Sequence, residues 1–376
     1  MKKVISVVLN NFTNDSRVLK EAISLQNGGY NIKVIALHED SLKEFDNISN
    51  IPVHRIKIVS RTWSKKRIVQ IIKYFEFIYR VVKKYRDRDI IHCNDLGTLP
   101  IGVIIKKFFN KDVKIVYDAH EYETETLHFK GFYKKIVKIL EKNLIKYVDK
   151  TITVSNAIAD EYVKLYNIQK PELVLNTPPF TQIEKKNIFR EQLNIEEDKN
   201  IFLYQGGLSR GRGIEILLET FKELSKDNSK NVIIFMGYGI LEDKIREYSK
   251  KYKNIFYHKA VSPEILLDFT SSADFGISLI EDSCLNYRYC LPNKMFEYMM
   301  VGLPVIVSNL PEMAKIIEEY SVGVISKGYS VENLKEAIDK IMNLDRSILN
   351  DNIQKIKKVY NWEKQEKNLI KVYNEL

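Results

Sequence analysis

The chain reads as two doubly wound α/β domains, and three observations carry that reading. Short apolar strands alternate with amphipathic helical stretches along almost the whole sequence, the pattern that builds parallel sheets covered by helices on both faces. A length of 376 residues leaves room for about two domains, and 45% hydrophobic residues let each bury a core. The alternation is interrupted over residues 176–195 by Thr177-Pro178-Pro179 and a polar, charged stretch, composition that suits a linker. The expected domains are 1–177 and 178–359, with a terminal helix over 360–376 (Trp362, Leu369, Val372) packing back on the first.

Val4–Leu9 is the first strand; only six apolar residues precede Asn10, too few for a signal-peptide core. After the loop Asn10–Asn14, Asp15 or Ser16 caps a helix that Gly28-Gly29 ends, and Ile32–Leu37 is the next strand. Ile90–Cys93, Lys114–Tyr117 and Thr151–Val154 follow as strands between helical segments. Beyond the linker, strands at 201–204, 232–236, 255–257, 275–279, 305–307 and 323–325 alternate with helices, and Ser262-Pro263 is a capped helix start. Ligands of such sheets sit beyond the carboxyl ends of the strands, so Asn10–Arg17, Asn94-Asp95, Asp118–Tyr122 and Ser155-Asn156 are the residues to watch.

A net charge of +10 and a pI near 9.1 suit an anionic partner. The three cysteines form neither a disulfide framework nor a metal pattern and fit a reducing cytosol. No run approaches the ~20 apolar residues that span a bilayer. Residues 61–88 and 129–150 are basic, amphipathic and aromatic. Two readings are open for them: a peripheral contact with an anionic membrane surface, or a core-facing aromatic stripe with a solvated back. No nucleic-acid recognition motif accompanies the charge.

The densest chemical signal is Phe202–Phe221, FLYQGGLSRGRGIEILLETF. An apolar strand leads into Gly206-Gly207-Leu208-Ser209-Arg210-Gly211-Arg212-Gly213, four glycines and two arginines in eight residues, and then into an amphipathic helix. Glycines admit a close backbone, the first helical amides point outward unpaired, and the helix dipole is positive there. Arginine forks match phosphate oxygens. An ordinary turn with solvated arginines is the competing reading. Neither a Walker loop nor a dinucleotide fingerprint is present.

The second signal is Asn286–Pro304, NYRYCLPNKMFEYMMVGLP. Pro292-Asn293 opens a helix with Lys294 and Glu297 in its first turn. A lysine there opposes the dipole unless an anion joins it. Glu297 is a carboxylate of the kind that accepts ribose hydroxyls. With the Gly-Arg loop, the joint reading is a nucleotide diphosphate site in a cleft between the domains.

On these motifs the second half resembles the donor-binding domain of GT-B glycosyltransferases, and is most similar to the retaining family 4 enzymes. Their donor loop runs Gly-Arg-Leu, three residues, then Lys-Gly. Here Arg212 stands at the lysine, Gly207 replaces the arginine, and Arg210 compensates. Of the family's paired glutamates only Glu297 remains; Tyr289 stands where the other would be, and Glu281 is the nearest acidic substitute. In the first half, the stretch from Asp15 resembles the family's opening helix. Asp118-Ala119-His120-Glu121 resembles its Asp-x-His-Glu, whose histidine lies near the donor sugar. A role for His120 in merely finishing its strand is the bland alternative.

The resemblance implies a glycosyltransferase moving a hexose from a nucleotide-diphosphate sugar, uridine more than guanosine. The acceptor would be a glycan or a lipid-linked molecule in bacterial surface polysaccharide (lipopolysaccharide or capsule) synthesis. His120, Arg212 and Lys294 would be catalytic; Gly206, Gly207, Arg210, Asn293, Glu297, Glu281 and Tyr289 would hold the donor. Asn14, Arg17, Asp95 and Glu121 would line the acceptor side. No metal or other cofactor is expected: the cations suffice, and the one Asp-x-Asp string, Asp87-Arg88-Asp89, precedes its strand. A cytoplasmic protein, peripheral at the inner face of the plasma membrane, is the expected setting. The rivals are a nucleotide-sugar epimerase of the same two-domain build, using cleft carboxylates such as Asp95, Asp118 and Glu121, and a non-catalytic nucleotide-sugar-binding subunit.

Overall fold

Runs of four or five buried apolar residues, each followed by a helix start, close into two parallel sheets. A computed structural model describes residues 1–127, 129–227 and 230–376. Two units emerge: Met1–Leu175 together with Gln365–Leu376, and Asn176–Lys364.

The first unit runs β1 (Lys3–Val7), α1 (Ser16–Asn27), β2 (Asn31–Leu37), β3 (Phe45–Ile48), β4 (Ile51–Ile56), α2 (Arg67–Tyr85), β5 (Ile90–Asn94), α3 (Leu99–Phe108), β6 (Lys114–Ala119), α4 (Gly131–Leu144), β7 (Lys150–Thr153), α5 (Asn156–Tyr166) and β8 (Glu172–Leu173). Its sheet has the order β3-β4-β2-β1-β5-β6-β7-β8. Every pairing is parallel except β3 with β4. That hairpin, absent from the sequence reading, turns through Ser49 and Asn50, both at positive φ (49° and 66°). A two-residue turn with both centres left-handed matches the twist of the strands it joins.

Asp15 caps α1 by accepting from the Val18 amide, and Ser155 caps α5 through Ile158. Glu141 of α4 is fully buried. Its carboxylate accepts from Tyr117 and Tyr162, at 2.7 and 2.8 Å, and from Tyr166, tying that helix to β6 and α5.

The second unit continues with α6 (Ile188–Leu193), β9 (Asn200–Gly207), α7 (Ile214–Leu224), β10 (Asn231–Tyr238), α8 (Glu242–Lys251), β11 (Ile255–Lys259), α9 (Leu266–Ser271), β12 (Phe275–Ser278), α10 (Leu285–Arg288), α11 (Asn293–Met300), β13 (Val305–Ser308), α12 (Pro311–Tyr320), β14 (Gly323–Ser326), α13 (Val331–Met342) and α14 (Arg346–Val359). Its sheet is wholly parallel, in the order β11-β10-β9-β12-β13-β14. Phe202, Tyr204, Phe221, Phe235 and Phe275 fill the core beneath α7. Helix α9 begins later than Ser262-Pro263 suggests, because residues 263–265 form a tighter turn with bonds from the Ile265 and Leu266 amides to Ser262 and Pro263.

Helix α15 (Trp362–Asn374) starts in the second unit and belongs to the first from Gln365 onward. Gln365 accepts from the Leu175 amide at 3.0 Å, and the Tyr373 hydroxyl meets Nδ1 of His92 at 2.7 Å. In each sheet the chain reverses direction of growth beside its first strand, between β1 and β5 and between β9 and β12. Such switch points open a crevice at the carboxyl ends of those strands.

Candidate functional site

At the switch point of the second unit, β9 delivers Gly206 and Gly207 to the surface. Gly206 has φ +110°, and its carbonyl oxygen lies where a Cβ on the neighbouring Gly237 would stand 1.9 Å away. The two strands approach this closely only because residue 237 is glycine, while at Gly206 it is the positive φ that asks for glycine. Gly213 precedes α7 without a side-chain cap, so the leading amides of that helix keep their donor capacity. The Glu281 amide bonds to the Gly211 carbonyl at 3.0 Å and ties the loop to the end of β12.

Lys294, on the first turn of α11, is 8% exposed, with Nζ 3.6 Å from the centre of the Tyr204 ring and its chain beside Gly206. Arg212 stacks over Tyr287, 4.9 Å from ring centre to guanidinium. Burial, and then Arg212, push the Lys294 ammonium well below its ordinary pKa; Glu297 only partly opposes them. Among the described residues neither Lys294, Arg212 nor Arg210 forms an ion pair. Two neighbouring cations, one of them desolvated, thus lie near the uncapped start of α7, with Glu297 only partly offsetting Lys294.

Glu297 lies one turn further along α11. Gln205 donates to its Oε2 at 2.6 Å and accepts from the Thr270 hydroxyl at 2.8 Å, so the carboxylate is held in orientation. Arg210, Asn293, Gly206 and Gly207 are exposed, and Glu281 and Tyr289 are half-buried near the same edge.

At the carboxyl edge of the first unit, His120 follows β6. Its Nε2 is 3.1 Å from Asp118 and its Nδ1 3.3 Å from Asp95, whose backbone is left-handed (φ 61°). Burial disfavours the imidazolium, but Asp118 and Asp95 outweigh it and raise the pKa to about 9. At neutral pH His120 is therefore a charged donor rather than a base. Asn14 and Glu121 are exposed on this edge, and Asp95 is half-exposed.

Arg17 departs from expectation. Its side chain is 5% exposed and serves the interior: it forms a two-pronged pair with Asp118, meets Glu21 at 3.1 Å and donates to the Val174 carbonyl at 2.8 Å. With its guanidinium spent on these partners, it is a structural cation and not an acceptor-side ligand. Asp118 is held well below the carboxylate range: burial opposes ionisation, but Arg17 and His120 prevail. Burial raises Glu21, which shares Arg17 with Asp118, to about 8. Glu21, Asp118 and His120 bring one ligand atom each within 4.8 Å of one another. Arg17 already bridges the two carboxylates and supplies the positive charge a metal ion would bring there.

Gln205, Tyr204, Tyr287, Glu21 and His92, whose Nε2 lies 3.6 Å from both Glu21 and Asp118, are the members of these clusters that sequence reasoning missed. Tyr204 and Gln205 lie inside the Phe202–Phe221 stretch and Tyr287 inside Asn286–Pro304, so their places in recognised motifs could have flagged them; Glu21 and His92 carry no such signal.

Residues 16–176 match the family described as Glycosyltransferase Family 4, and residues 185–360 match the one described as Glycosyl transferases group 1. The chain belongs to the GT-B-fold glycosyltransferases, in the group that family 4 represents. It is 25% identical to an uncharacterized glycosyltransferase of Methanocaldococcus jannaschii, over 94% of this chain and 91% of that one. It is 22% identical to the chitobiosyldiphosphodolichol beta-mannosyltransferase of Debaryomyces hansenii, over 94% and 82% respectively. The crystal structure of Anabaena HepE with UDP and glucose shares the fold, with a TM-score of 0.75 over 100% of both chains at 14% identity. Among the described residues no helix is long and apolar enough to cross a membrane.

Proposed function

We propose that this glycosyltransferase moves a hexose from a nucleotide diphosphate sugar, uridine in preference to guanosine, to a glycan or lipid-linked acceptor of bacterial surface polysaccharide. The observation that carries the donor class is Lys294: a buried ammonium beside Arg212, at the Gly206-Gly207 turn, with no ion-pair partner among the described residues. A diphosphate is the anion of matching size and charge. Glu297, whose carboxylate Gln205 orients, accepts the ribose hydroxyls in this reading. That HepE was crystallised with UDP and glucose supports the uridine donor. The name of the Debaryomyces relative, a mannosyltransferase acting on a dolichol-diphosphate-linked chitobiose, supports a lipid-linked acceptor.

Cleavage of the anomeric C–O bond leaves negative charge on the departing diphosphate and an oxocarbenium-like sugar. Arg212, Lys294 and the leading amides of α7 stabilise that charge more in the transition state than in the ground state. The same cations do the work that a metal would otherwise do, and the reaction proceeds without one. His120, protonated at neutral pH, does not remove a proton; it acts by turning its Nδ1–H from the half-exposed Asp95 to an oxygen of the substrate while Asp118 keeps Nε2. Retention of configuration accords with family 4.

The test is nucleotide release from a panel of UDP-, GDP- and ADP-sugars, with and without a polyprenyl-diphosphate-linked acceptor. Release stimulated by acceptor is expected, with UDP donors leading. Arg212→Ala and Lys294→Ala each lower it by orders of magnitude. Interconversion of the sugar without release, or near-normal transfer by both variants, overturns the proposal.

A further inference from the structure

Behind His120 the first unit carries polar groups that the mechanism above does not use. In the register of β5 with β6, His92 stands beside Val116, and Asn94 beside Asp118. Side chains two residues apart on a strand share a face, so His92 and Asp118 lie on the same side of the sheet. Helix α1 lays Arg17 on Asp118 and Glu21 near His92. Helix α15 closes the inner end, where the Tyr373 hydroxyl lies 2.7 Å from Nδ1 of His92. Tyr373 is itself packed edge-on against Tyr30, whose hydroxyl donates to Asn374 at 3.2 Å. A line thus runs inward from the catalytic edge: His120, Asp118, His92, Tyr373.

His92 is buried, and burial keeps its ring neutral. A neutral imidazole carries a single N–H. Its Nε2 lies 3.6 Å from Oδ2 of Asp118 and from Oε2 of Glu21, and has no hydrogen-bond partner among the described residues. Asp118 is ionised, whereas Glu21, raised to about 8, keeps its proton at neutral pH. The charged carboxylate draws the proton of His92 to Nε2. Nδ1 is then an acceptor, and Tyr373, whose hydroxyl burial keeps protonated, donates to it. One hydrogen bond from α15 therefore fixes which nitrogen of His92 faces Asp118. A separation of 3.6 Å is too long for a hydrogen bond. Nε2–H acts instead as a dipole aimed at a buried carboxylate, where the low dielectric strengthens it. Both histidines address the same oxygen, Oδ2, while the Arg17 fork spans both oxygens.

We infer that His92, set by Tyr373, is a positioning residue for His120: it fixes the charge on Oδ2 of Asp118, the pivot on which His120 turns its Nδ1–H toward the substrate. The inference rests on the reading of His120 as a donor to the substrate.

Transfer by the full chain, with the most active donor of the UDP-, GDP- and ADP-sugar panel, tests it beside calorimetric titration with UDP. Tyr373→Phe and His92→Phe are each expected to lower kcat about three- to tenfold, with UDP affinity unchanged. His92→Gln, which offers an N–H from near the same place, keeps most of the wild-type rate. In a His120→Ala background neither phenylalanine variant lowers the residual rate further, because the effect passes through that ring. Long-range ¹H–¹⁵N spectra of the ligand-free protein are expected to show the proton of His92 on Nε2. A loss that persists in the His120→Ala background, equal losses in His92→Gln and His92→Phe, or a proton on Nδ1 overturns the inference. Full activity of Tyr373→Phe and His92→Phe overturns it too and leaves the role of His120 standing. Full activity of His120→Ala, or no transfer from any donor of the panel, overturns both.

Discussion

Replacing Lys294 by methionine examines the phosphate assignment from two directions. Methionine keeps a long apolar stem over Tyr204 and removes the ammonium. In the ligand-free protein that ammonium is a burden, because burial and Arg212 both favour its neutral form. The apo melting temperature of the variant is therefore expected to rise. The pH dependence has a definite sign. A lysine whose pKa is lower folded than unfolded destabilises the fold fully at pH below the folded value. The penalty fades as pH climbs through that value toward the ~10.4 of an unfolded lysine. Wild type should gain on the variant as pH rises. Binding moves the other way. A hydrogen bond from a charged donor contributes about 1.5–3 kcal/mol, which is roughly 10- to 150-fold in Kd. Calorimetric titration with UDP and GDP should show a loss of that size, beside a higher apo Tm. Unchanged nucleotide affinity, or a variant less stable than wild type when ligand-free, would refute the reasoning.

His120, raised to about 9, contributes stability that is complete below its unfolded pKa of ~6.5 and is lost as pH rises through 9. The shift corresponds to about 3 kcal/mol, and His120→Gln should remove this slope from urea midpoints measured between pH 6 and 10. Arg17→Met strands the buried Asp118 and should cost about 3–5 kcal/mol, much of it recovered in the double variant with Asp118→Leu, by denaturant titration. Gly237→Ala drives a methyl into the Gly206 carbonyl. It should destabilise the second unit by about 1–3 kcal/mol and weaken nucleotide binding at least tenfold, by calorimetry. Gln205→Leu releases Glu297 from its bond, and should erase any preference for UDP over 2′-deoxy-UDP; a retained preference would remove Gln205 from that role.

The alternation of strand and helix was legible because parallel strands buried on both faces need unbroken apolar runs. The Gly-Arg loop was legible because its unusual backbone demands glycine at Gly206, and the α11 entry because Pro292 announces it. The β3–β4 hairpin escaped notice: Ser49-Asn50 is a weaker turn signal than Asn-Gly, and β3 alternates intermediate with exposed residues instead of burying a face. Arg17 was misread for a different reason. Its partner Asp118 lies 101 residues away, and no local pattern distinguishes an arginine reaching for ligand from one consumed in the core. Gln205 and Glu297 likewise meet only in the folded sheet, 92 residues apart.

The route of α15 has a consequence for how the protein is made. Residues 365–376 complete the first unit, yet they leave the ribosome after residues 176–364 of the second. At about 5–20 residues per second, the earlier-born unit waits roughly 10–40 s with His92 and the Leu175 amide lacking Tyr373 and Gln365. The nascent chain thus finishes its later half first. A stop codon near the end would injure the half that was translated at the beginning.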